Sequence, residues 1–335
     1  MSRRIMNRRR AWIALLAALA MMMTLLAGCG STDSAGGEPA APESDAVRIV
    51  TTIFPEYDWV QNIVGEDTEG VEVIQLLDNG VDLHSYQPTA EDLANLSSCD
   101  LFVYVGGESD QWVEDALKES VNPDMVIINL LEVLGDSAKE EEIVEGMEED
   151  EQEEEGPEYD EHVWLSLNNA HMLVQAISEG LQSVDPDHAA VYEENTQAYL
   201  EKLEALDLEY RDAVNQASVN TLLFGDRFPF RYLTDDYGLE YYAAFSGCSA
   251  ETEASFETVS FLAGKVDELG LKTVMTIDGS DQRIAQTIVS STKDKDAVIR
   301  VMDSMQTTTT KDAAAGKTYL SAMTENLAVL KEALR

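Results

Sequence analysis

The chain has 335 residues, 44% of them hydrophobic, which is enough to bury one large core or two ordinary ones. Its 64 Asp and Glu residues outnumber its 22 Lys and Arg residues, and the formal charge is −42. Binding to nucleic-acid phosphates requires an excess of basic side chains, so we expect no nucleic-acid partner and expect cations rather than anions as ligands.

The first 45 residues predict an exported protein with a membrane anchor. Residues 1–10 are arginine-rich, and residues 11–27 form an uncharged apolar run at the short limit for spanning a bilayer, which together indicate an export signal. The sequence Leu-Ala-Gly-Cys ending at Cys29 resembles a bacterial lipobox, in which this cysteine is lipidated. Residues 30–45 have the Gly, Ser, Pro and Ala content of a flexible tether. We therefore expect a domain held at the outer face of the cytoplasmic membrane, with a formal charge of −47 once the five arginines of the signal are removed.

The region after the tether alternates between strand-like and helical segments. Strands are expected at 48–53, 71–76, 101–105 and 125–129, and helices at 56–64, 89–96 and 112–117. Thr89 is expected to cap its helix, with Asp92 returning to the first turn. Strands that alternate with helices in this way predict a parallel sheet covered by helices.

Two segments interrupt this alternation. Residues 136–161 contain fifteen Asp and Glu residues and one Lys, so we expect a solvated loop there. The stretch from residue 185 to about 216 has apolar residues at helical spacing, namely Val191, Tyr199, Leu203, Leu206, Tyr210 and Val214. A single helix of this length would span about 45 Å, enough to run the length of a protein with two lobes.

Beyond residue 217 the alternation resumes. Strands are expected at 221–224, 240–245, 273–277 and 297–302, and helices at 256–269, 283–290 and 319–334. We therefore predict an α/β fold with two lobes, each built on a parallel-type sheet, joined by one uninterrupted helix. The predicted divisions are a signal peptide at 1–28, a tether at 29–45, an N-terminal lobe at 46–184, a linking helix at 185–217 and a C-terminal lobe at 218–335.

The chain has only four histidines, so their positions are informative. His84 lies in a loop between a strand and a capped helix, and His162 directly follows the acidic segment. Loops at strand ends are where α/β proteins bind ligands, and imidazole is a common neutral ligand of transition metals. Each histidine, taken alone, fits an ordinary loop residue better than a metal ligand. His171 and His188 lie on predicted helices among polar residues and are expected at the surface.

Several stretches resemble the metal-binding lipoproteins of ABC uptake systems for zinc and manganese, a TroA-like family. They are VTTIFPEYDWV at 50–60, DLHSYQPTAEDL at 82–93, EHVWLSL at 161–167, DYGL at 236–239 and YLSAMTENL at 319–327. The resemblance covers essentially all of residues 46–335 and implies two α/β lobes around a rigid helix, with two metal ligands from each lobe in the cleft between them. It implies that His84 and His162 are the N-terminal ligands and that Asp303 is the C-terminal carboxylate ligand.

The third ligand departs from the family pattern. The family has a His or Glu shortly before a Phe-x-Tyr stretch, where this chain reads FGDRFPFRYL from 224 to 233, without a His. Asp226 is the only acceptor in this stretch and is our candidate, although it could instead cap a helix or pair with Arg227 or Arg231. Weaker candidates elsewhere in the C-terminal lobe are Asp278, Asp281 and the thiol of Cys248, while Glu251 and Glu253 match a loop whose role in the family is structural.

Two histidines and two carboxylates suit both manganese and zinc, and the Irving–Williams order slightly favours zinc. The expected function is therefore capture of a divalent metal by a monomer and its delivery to an ABC permease, without catalysis. The alternatives are a surface adhesin, a metal-dependent hydrolase and a binder of peptides or sugars. A hydrolase would need an open coordination position and a general base or acid, and no HExxH or GxSxG motif occurs.

Two further features leave alternatives open. The acidic segment at 140–161 stands where many zinc-binding relatives carry a His-rich loop, and it is either a low-affinity collector of cations or a solvated spacer. Cys99 and Cys248 are about 150 residues apart in different predicted lobes, so we expect free thiols rather than a disulfide.

Overall fold

The computed structural model describes residues 46–66, 68–148, 158–249 and 253–335. The predicted signal peptide, the lipidation site Cys29 and the tether lie outside these residues. Among the helices of the described ranges, none has both the length and the apolar character needed to cross a membrane.

The N-terminal lobe is built on a four-stranded parallel sheet in the order β2-β1-β3-β4. Its strands are β1 (Val47–Thr51), β2 (Val71–Gln75), β3 (Leu101–Tyr104) and β4 (Val126–Asn129), and its helices are α1 (Phe54–Val64), α2 (Ala90–Ser97), α3 (Trp112–Lys118) and α4 (Leu130–Leu134). The predicted cap of α2 is confirmed, because the Asp92 amide donates to Oγ1 of Thr89 while Oδ2 of Asp92 accepts the Thr89 amide. Helix α4 was not predicted.

Two helices follow the acidic segment: α5 (Leu167–Val184) and α6 (Ala189–Asn215). The predicted linking helix is therefore confirmed from residue 189 onward, but residues 185–188 form a turn in which Asp185 accepts a hydrogen bond from the Tyr192 hydroxyl at 2.6 Å. Tyr192 and not Val191 occupies the buried face of α6, and Val191 is 43% exposed. The other apolar positions predicted along this face are buried from Tyr199 to Tyr210.

The C-terminal lobe has a second four-stranded parallel sheet in the order β6-β5-β7-β8. Its strands are β5 (Thr221–Phe228), β6 (Glu240–Ser246), β7 (Thr273–Ile277) and β8 (Val298–Met302), and its helices are α7 (Arg231–Tyr237), α8 (Phe256–Leu269), α9 (Arg283–Ser291), α10 (Thr310–Ala314) and α11 (Tyr319–Ala333). The prediction of two parallel α/β lobes is thus confirmed. Strand β5 is longer than predicted and its register shifts between Phe224 and Arg227, so Asp226 lies within a strand and not in a loop.

The described ends of the acidic segment are packed, which corrects the prediction of a solvated loop for these residues. Glu140 and Tyr159 form an antiparallel bridge, and the Glu141 amide donates to the Glu158 carbonyl at 2.8 Å. Met147 is buried, and the Glu148 amide donates to the carbonyl of Ala244 in β6 at 3.0 Å. The first arm of the segment therefore lies against the C-terminal lobe, whereas residues 149–157 lie outside the described residues.

Buried polar contacts join the two lobes. The indole of Trp164 donates to the carbonyl of Ser304 at 2.8 Å, and the Tyr319 hydroxyl donates to the carbonyl of Trp164 at 2.7 Å. The Tyr319 amide donates to Asp58 in α1 at 3.1 Å. Each of these three buried donors has its acceptor in the other lobe, and the three hydrogen bonds hold the two lobes in one arrangement.

Candidate metal centre

A cavity of about 610 Å³ lies where loops from the two sheets meet. Its N-terminal wall is formed after β2 and contains Asp82 and His84, and its C-terminal wall contains Asp226 and Arg227 in β5 and Asp278 after β7. The carboxyl ends of parallel strands are the usual ligand-binding edge of an α/β sheet. The cavity therefore lies at the edge where the sequence predicts a ligand.

His84 is oriented by three neighbours in the N-terminal lobe. It sits in a short 3-10 turn, Leu83–Ser85, that Asp82 caps by accepting the His84 amide at 3.0 Å. Its Nδ1 lies 2.9 Å from Oγ of Ser109 and 3.4 Å from Oε2 of Glu161. These acceptors hold the Nδ1 proton, so the lone pair of the neutral ring is on Nε2.

His162 is oriented in the same way and is completely buried. Oδ1 of Asp160 accepts the His162 amide at 2.8 Å and lies 2.9 Å from Nδ1 of the same ring. A carboxylate behind one ring nitrogen is the arrangement that orients histidine ligands of metals and makes the other nitrogen a better donor. The Nε2 atom of His162 is therefore the one available to a ligand.

The two available nitrogen atoms face each other, with Nε2 of His84 3.2 Å from Nε2 of His162. Two lone pairs at this distance repel unless a proton or a cation lies between them. Burial, together with the neighbouring His162 imidazole, lowers the pKa of His84 to about 3. Burial also acts to lower the pKa of His162, but the carboxylates of Asp160, Glu141 and Glu161 outweigh it and raise that pKa. The pair thus presents two nitrogen donors to one small cation.

The carboxylates predicted as the remaining ligands are not brought to this pair. Asp226 lines the cavity, but its oxygens accept the amides of Arg227 at 3.0 Å and Ile277 at 3.4 Å. Asp303 lies 2.6 Å from Nζ of Lys317 and also accepts the Met305 amide. The predicted set of His84, His162, Asp226 and Asp303 is therefore not assembled here, and both carboxylates have other partners. Their role as ligands stays a prediction.

Within the described ranges, two groups of at least three His, Cys, Asp or Glu side chains place their donor atoms within 4.8 Å of one another. The first consists of His84, His162 and Cys248, and the second of Glu141, Asp160 and His162. Cys248 was a weak candidate from sequence, and Glu141 and Asp160 were missed. The available signal was the Asp two residues before His162, but it was hidden among fifteen acidic residues.

Apart from Cys248, the weaker candidates do not belong to the groups around the histidines or lie outside the described residues. Asp278 lines the cavity, but its oxygens accept hydrogen bonds from Ser304 and Thr307. Asp281 and Glu253 are exposed, and Glu251 is outside the described residues. Cys99 is buried and Cys248 is half-buried, and both are free thiols. His171 is exposed, and His188 is partly exposed and pairs with Asp185.

Arg227 reaches across the cavity and joins the two lobes. Its Nη2 lies 2.6 Å from Oδ2 of Asp82, the residue that caps the His84 turn. Burial acts to raise the pKa of Asp82, but Arg227 and His84 outweigh it and the pKa is lowered. The expected alternative of an Asp226–Arg227 ion pair is thus replaced by a pair between the lobes, while Arg231 lies near Glu142 and Asp235.

Comparison with known proteins gives consistent matches along the described chain. Residues 49–333 match the family described as zinc-uptake complex component A, periplasmic, or ZnuA. The zinc-binding lipoprotein AdcA of Streptococcus pneumoniae is 32% identical over 324 residues, which are 95% of this chain and 60% of AdcA. The high-affinity zinc uptake system protein ZnuA of Bacillus subtilis is 28% identical over 322 residues, which are 94% of this chain and 96% of that protein.

A solved structure shows the same architecture. The Zn(II)-bound ZnuA-like domain of S. pneumoniae AdcA superposes with a TM-score of 0.68 and 28% identity, covering 86% of this chain and 99% of that domain. The chain therefore spans about 60% of the length of full AdcA and nearly all of its ZnuA-like domain. The family match extends over both lobes, and the chain belongs to the ZnuA family of zinc-uptake components.

Proposed function

We propose that this protein captures Zn²⁺ between its two lobes and delivers it to an ABC permease. The observation that carries the proposal is the facing pair of imidazoles, in which Nε2 of His84, a residue that lines the interlobe cavity, lies 3.2 Å from Nε2 of the buried His162. Relatives in the same family are named for zinc binding and high-affinity zinc uptake. We infer that the same cargo binds here.

The donor chemistry supports zinc over manganese. Imidazole nitrogen is a good ligand for zinc, whereas manganese prefers carboxylate, carbonyl and water oxygens. The carboxylate oxygens of Asp160 and Glu161 lie against Nδ1 of His162 and His84, respectively, and help to orient the rings. Zinc bound to both Nε2 atoms is then held by ligands whose orientation is already set, which lowers the cost of ordering them on binding.

We propose further that the protein is a monomeric carrier that binds and releases its cargo without catalysing a reaction. In this proposal residues 1–28 are removed and Cys29 is lipidated, so that residues 30–45 tether the lobes to the outer face of the cytoplasmic membrane. The lobes are assigned to 46–184 and 218–335, on either side of the linking helix. A carrier held near the membrane delivers metal to a permease at a high local concentration.

The test is zinc binding by the purified full-length protein, stripped of metal and titrated in competition with a chromophoric chelator. We expect one zinc ion per chain, and we expect His84→Ala and His162→Ala each to weaken binding by more than about 100-fold. His188→Ala is the matched control, since this histidine also has a carboxylate 2.7 Å from Nδ1 but lies in the turn that precedes α6. Unchanged affinity in both site variants would refute the proposal.

A cellular assay separates uptake from adhesion. A strain that lacks the protein should grow poorly when zinc is chelated, and the wild-type gene should restore growth while the His162→Ala gene should not. If binding to host matrix were instead the function, that binding would persist after the metal is removed and in the His162→Ala protein.

A further inference from the structure

A thiol of the C-terminal lobe lies beside the histidine pair. Cys248 follows strand β6, and its sulfur lies with a ring nitrogen of His84 and one of His162 in a group whose atoms are all within 4.8 Å of one another. No C-terminal carboxylate of the described residues belongs to this group. Among the His, Cys, Asp and Glu side chains that the structure describes in the C-terminal lobe, only Cys248 is placed there with the two imidazoles.

The backbone at residues 247 and 248 makes two close contacts that hold this thiol in position. The Cys248 amide donates to Oε1 of Glu141 at 2.9 Å, which ties the loop to the first arm of the acidic segment. The preceding residue, Gly247, lies close to the His162 ring. A Cβ at Gly247 would be 3.1 Å from Nδ1 and Cε1 of that ring and 3.0 Å from the carbonyl oxygen of Phe228. Because glycine has no side chain, the loop can approach closely enough to bring the next residue to the imidazole pair.

The position where the family pattern expects a third ligand does not offer one here. Arg227 stands in that stretch, and a guanidinium keeps its protons and has no lone pair to donate to a metal. Its Nη2 is also held by Asp82 at 2.6 Å. The neighbouring Asp226 accepts two backbone amides. A ligand from the C-terminal lobe must therefore come from another segment, and the loop after β6 supplies it.

We propose that Cys248 supplies the C-terminal lobe's ligand to the metal held by His84 and His162, and that its thiolate makes the site select zinc over manganese. The proposal rests on the proposed function, because it concerns the same bound ion. On binding, the thiol proton leaves to solvent and the sulfur lone pair forms the bond to the metal. Zinc, a borderline-soft ion, accepts two nitrogens and one sulfur readily, whereas manganese binds thiolate weakly.

Cobalt is the probe that reports sulfur coordination directly. Co²⁺ occupies zinc sites, and a thiolate bound to it produces an intense near-ultraviolet charge-transfer band that histidine and carboxylate ligands do not produce. We expect the cobalt-loaded full-length protein to show this band. We expect Cys248→Ser to bind cobalt without the band and Cys99→Ser to retain it, because Cys99 is buried and donates to the Leu96 carbonyl.

The same variants test metal selectivity. We expect Cys248→Ser to weaken zinc binding by about 10- to 100-fold and to leave manganese binding within about 2-fold, so the preference for zinc falls. Thermal unfolding of the metal-free variants shows whether each one folds. The wild-type spectrum requires no variant, so a folding defect in Cys248→Ser would not remove the test.

The possible outcomes are distinct. Stoichiometric cobalt binding by the wild-type protein without a charge-transfer band would overturn the thiolate assignment while leaving the proposed carrier function intact. Failure of the wild-type protein to bind cobalt or zinc at all would overturn the carrier function itself. Retention of the band in Cys248→Ser together with its loss in Cys99→Ser would also overturn the assignment.

Discussion

The polar groups on the two sides of the cleft differ in whether the atoms that could bind a metal already have hydrogen-bond partners. In the N-terminal wall, acceptors occupy Nδ1 of His84 and His162, and the two Nε2 atoms point at each other. In the C-terminal wall, the oxygens of Asp226 and Asp278 already accept backbone or hydroxyl hydrogen bonds. One wall thus presents donors that are ready for a cation, and the other presents carboxylates that would have to give up their partners first.

This difference makes the N-terminal wall the primary binding surface. Zinc that reaches the imidazole pair replaces a repulsive contact between nitrogens with two metal–ligand bonds. A carboxylate of the C-terminal wall gains a metal bond only after it loses hydrogen bonds to amides, and a buried amide without an acceptor costs about 1–3 kcal/mol. We therefore expect variants that disturb the orientation of the histidines to have larger effects than variants of the carboxylates.

The largest of these effects is expected for Asp160→Asn. The carboxylate of Asp160 lies 2.9 Å from Nδ1 of His162, and an amide there orients the ring less strongly and makes Nε2 a weaker donor. Chelator competition should show zinc affinity about 10- to 100-fold below the wild-type value. The matched control is Asp185→Asn, which removes the same type of carboxylate from His188. Equal zinc affinity in the Asp160 and Asp185 variants would show that the N-terminal wall does not need this orientation.

The next largest effect is expected at the ion pair between Asp82 and Arg227, which crosses the cleft. Here the substitution should raise zinc affinity and not lower it. Arg227 places a positive charge in the cavity wall, so Arg227→Gln should raise zinc affinity by about 3- to 10-fold at low ionic strength. The gain should shrink as salt is added, because mobile ions screen the removed charge. Zinc titrations of the variant at two salt concentrations measure both effects.

Arg283→Gln is the comparison for this variant. Arg283 lines the same cavity, but it is exposed and its partner is the exposed Asp281 of its own lobe. We expect a change smaller than that of Arg227→Gln. If the affinity of the Arg227 variant instead fell, the ion pair with Asp82 would be needed to hold the His84 turn, and the C-terminal wall would share in organising the N-terminal one.

A smaller effect is expected from the acidic segment, and it concerns rate more than affinity. Residues 149–155 contain six acidic side chains close in sequence to Glu141 and Asp160, which belong to the group around His162. Replacing the six with Gln and Asn should slow zinc association about 2- to 4-fold at low salt and leave dissociation unchanged. Stopped-flow measurements separate the two rates. Equal association rates at low salt would indicate a spacer and not a collector of cations.

The sequence predicts the candidate ligands of the N-terminal wall better than those of the C-terminal wall, and the reason is physical. His84 and His162 follow from loop position and resemblance, and most strands and helices follow from local periodicity. The role of the carboxylates depends on which of many acidic groups find partners, and composition does not determine this. Asp226 has amide partners because β5 extends to Phe228, and Glu141 is tied to the Cys248 amide because the acidic segment packs against β6. Both facts depend on tertiary contacts.

The smallest effect is expected at Asp303, the carboxylate ligand inferred from the resemblance. Lys317 lies 2.6 Å from Oδ2 and Met305 donates to Oδ1, so both oxygens are engaged. If both oxygens stay engaged when the metal binds, Asp303→Asn should leave zinc affinity within about 2-fold of wild type, whereas loss of a true ligand would lower it by about 100-fold or more. Lys317→Met is the companion variant, since it frees the carboxylate without removing it. If Asp303→Asn lowered zinc affinity more than about 10-fold while Lys317→Met raised it, the cleft would close on the metal by breaking this ion pair, and a carboxylate of the C-terminal lobe would then join the ligands.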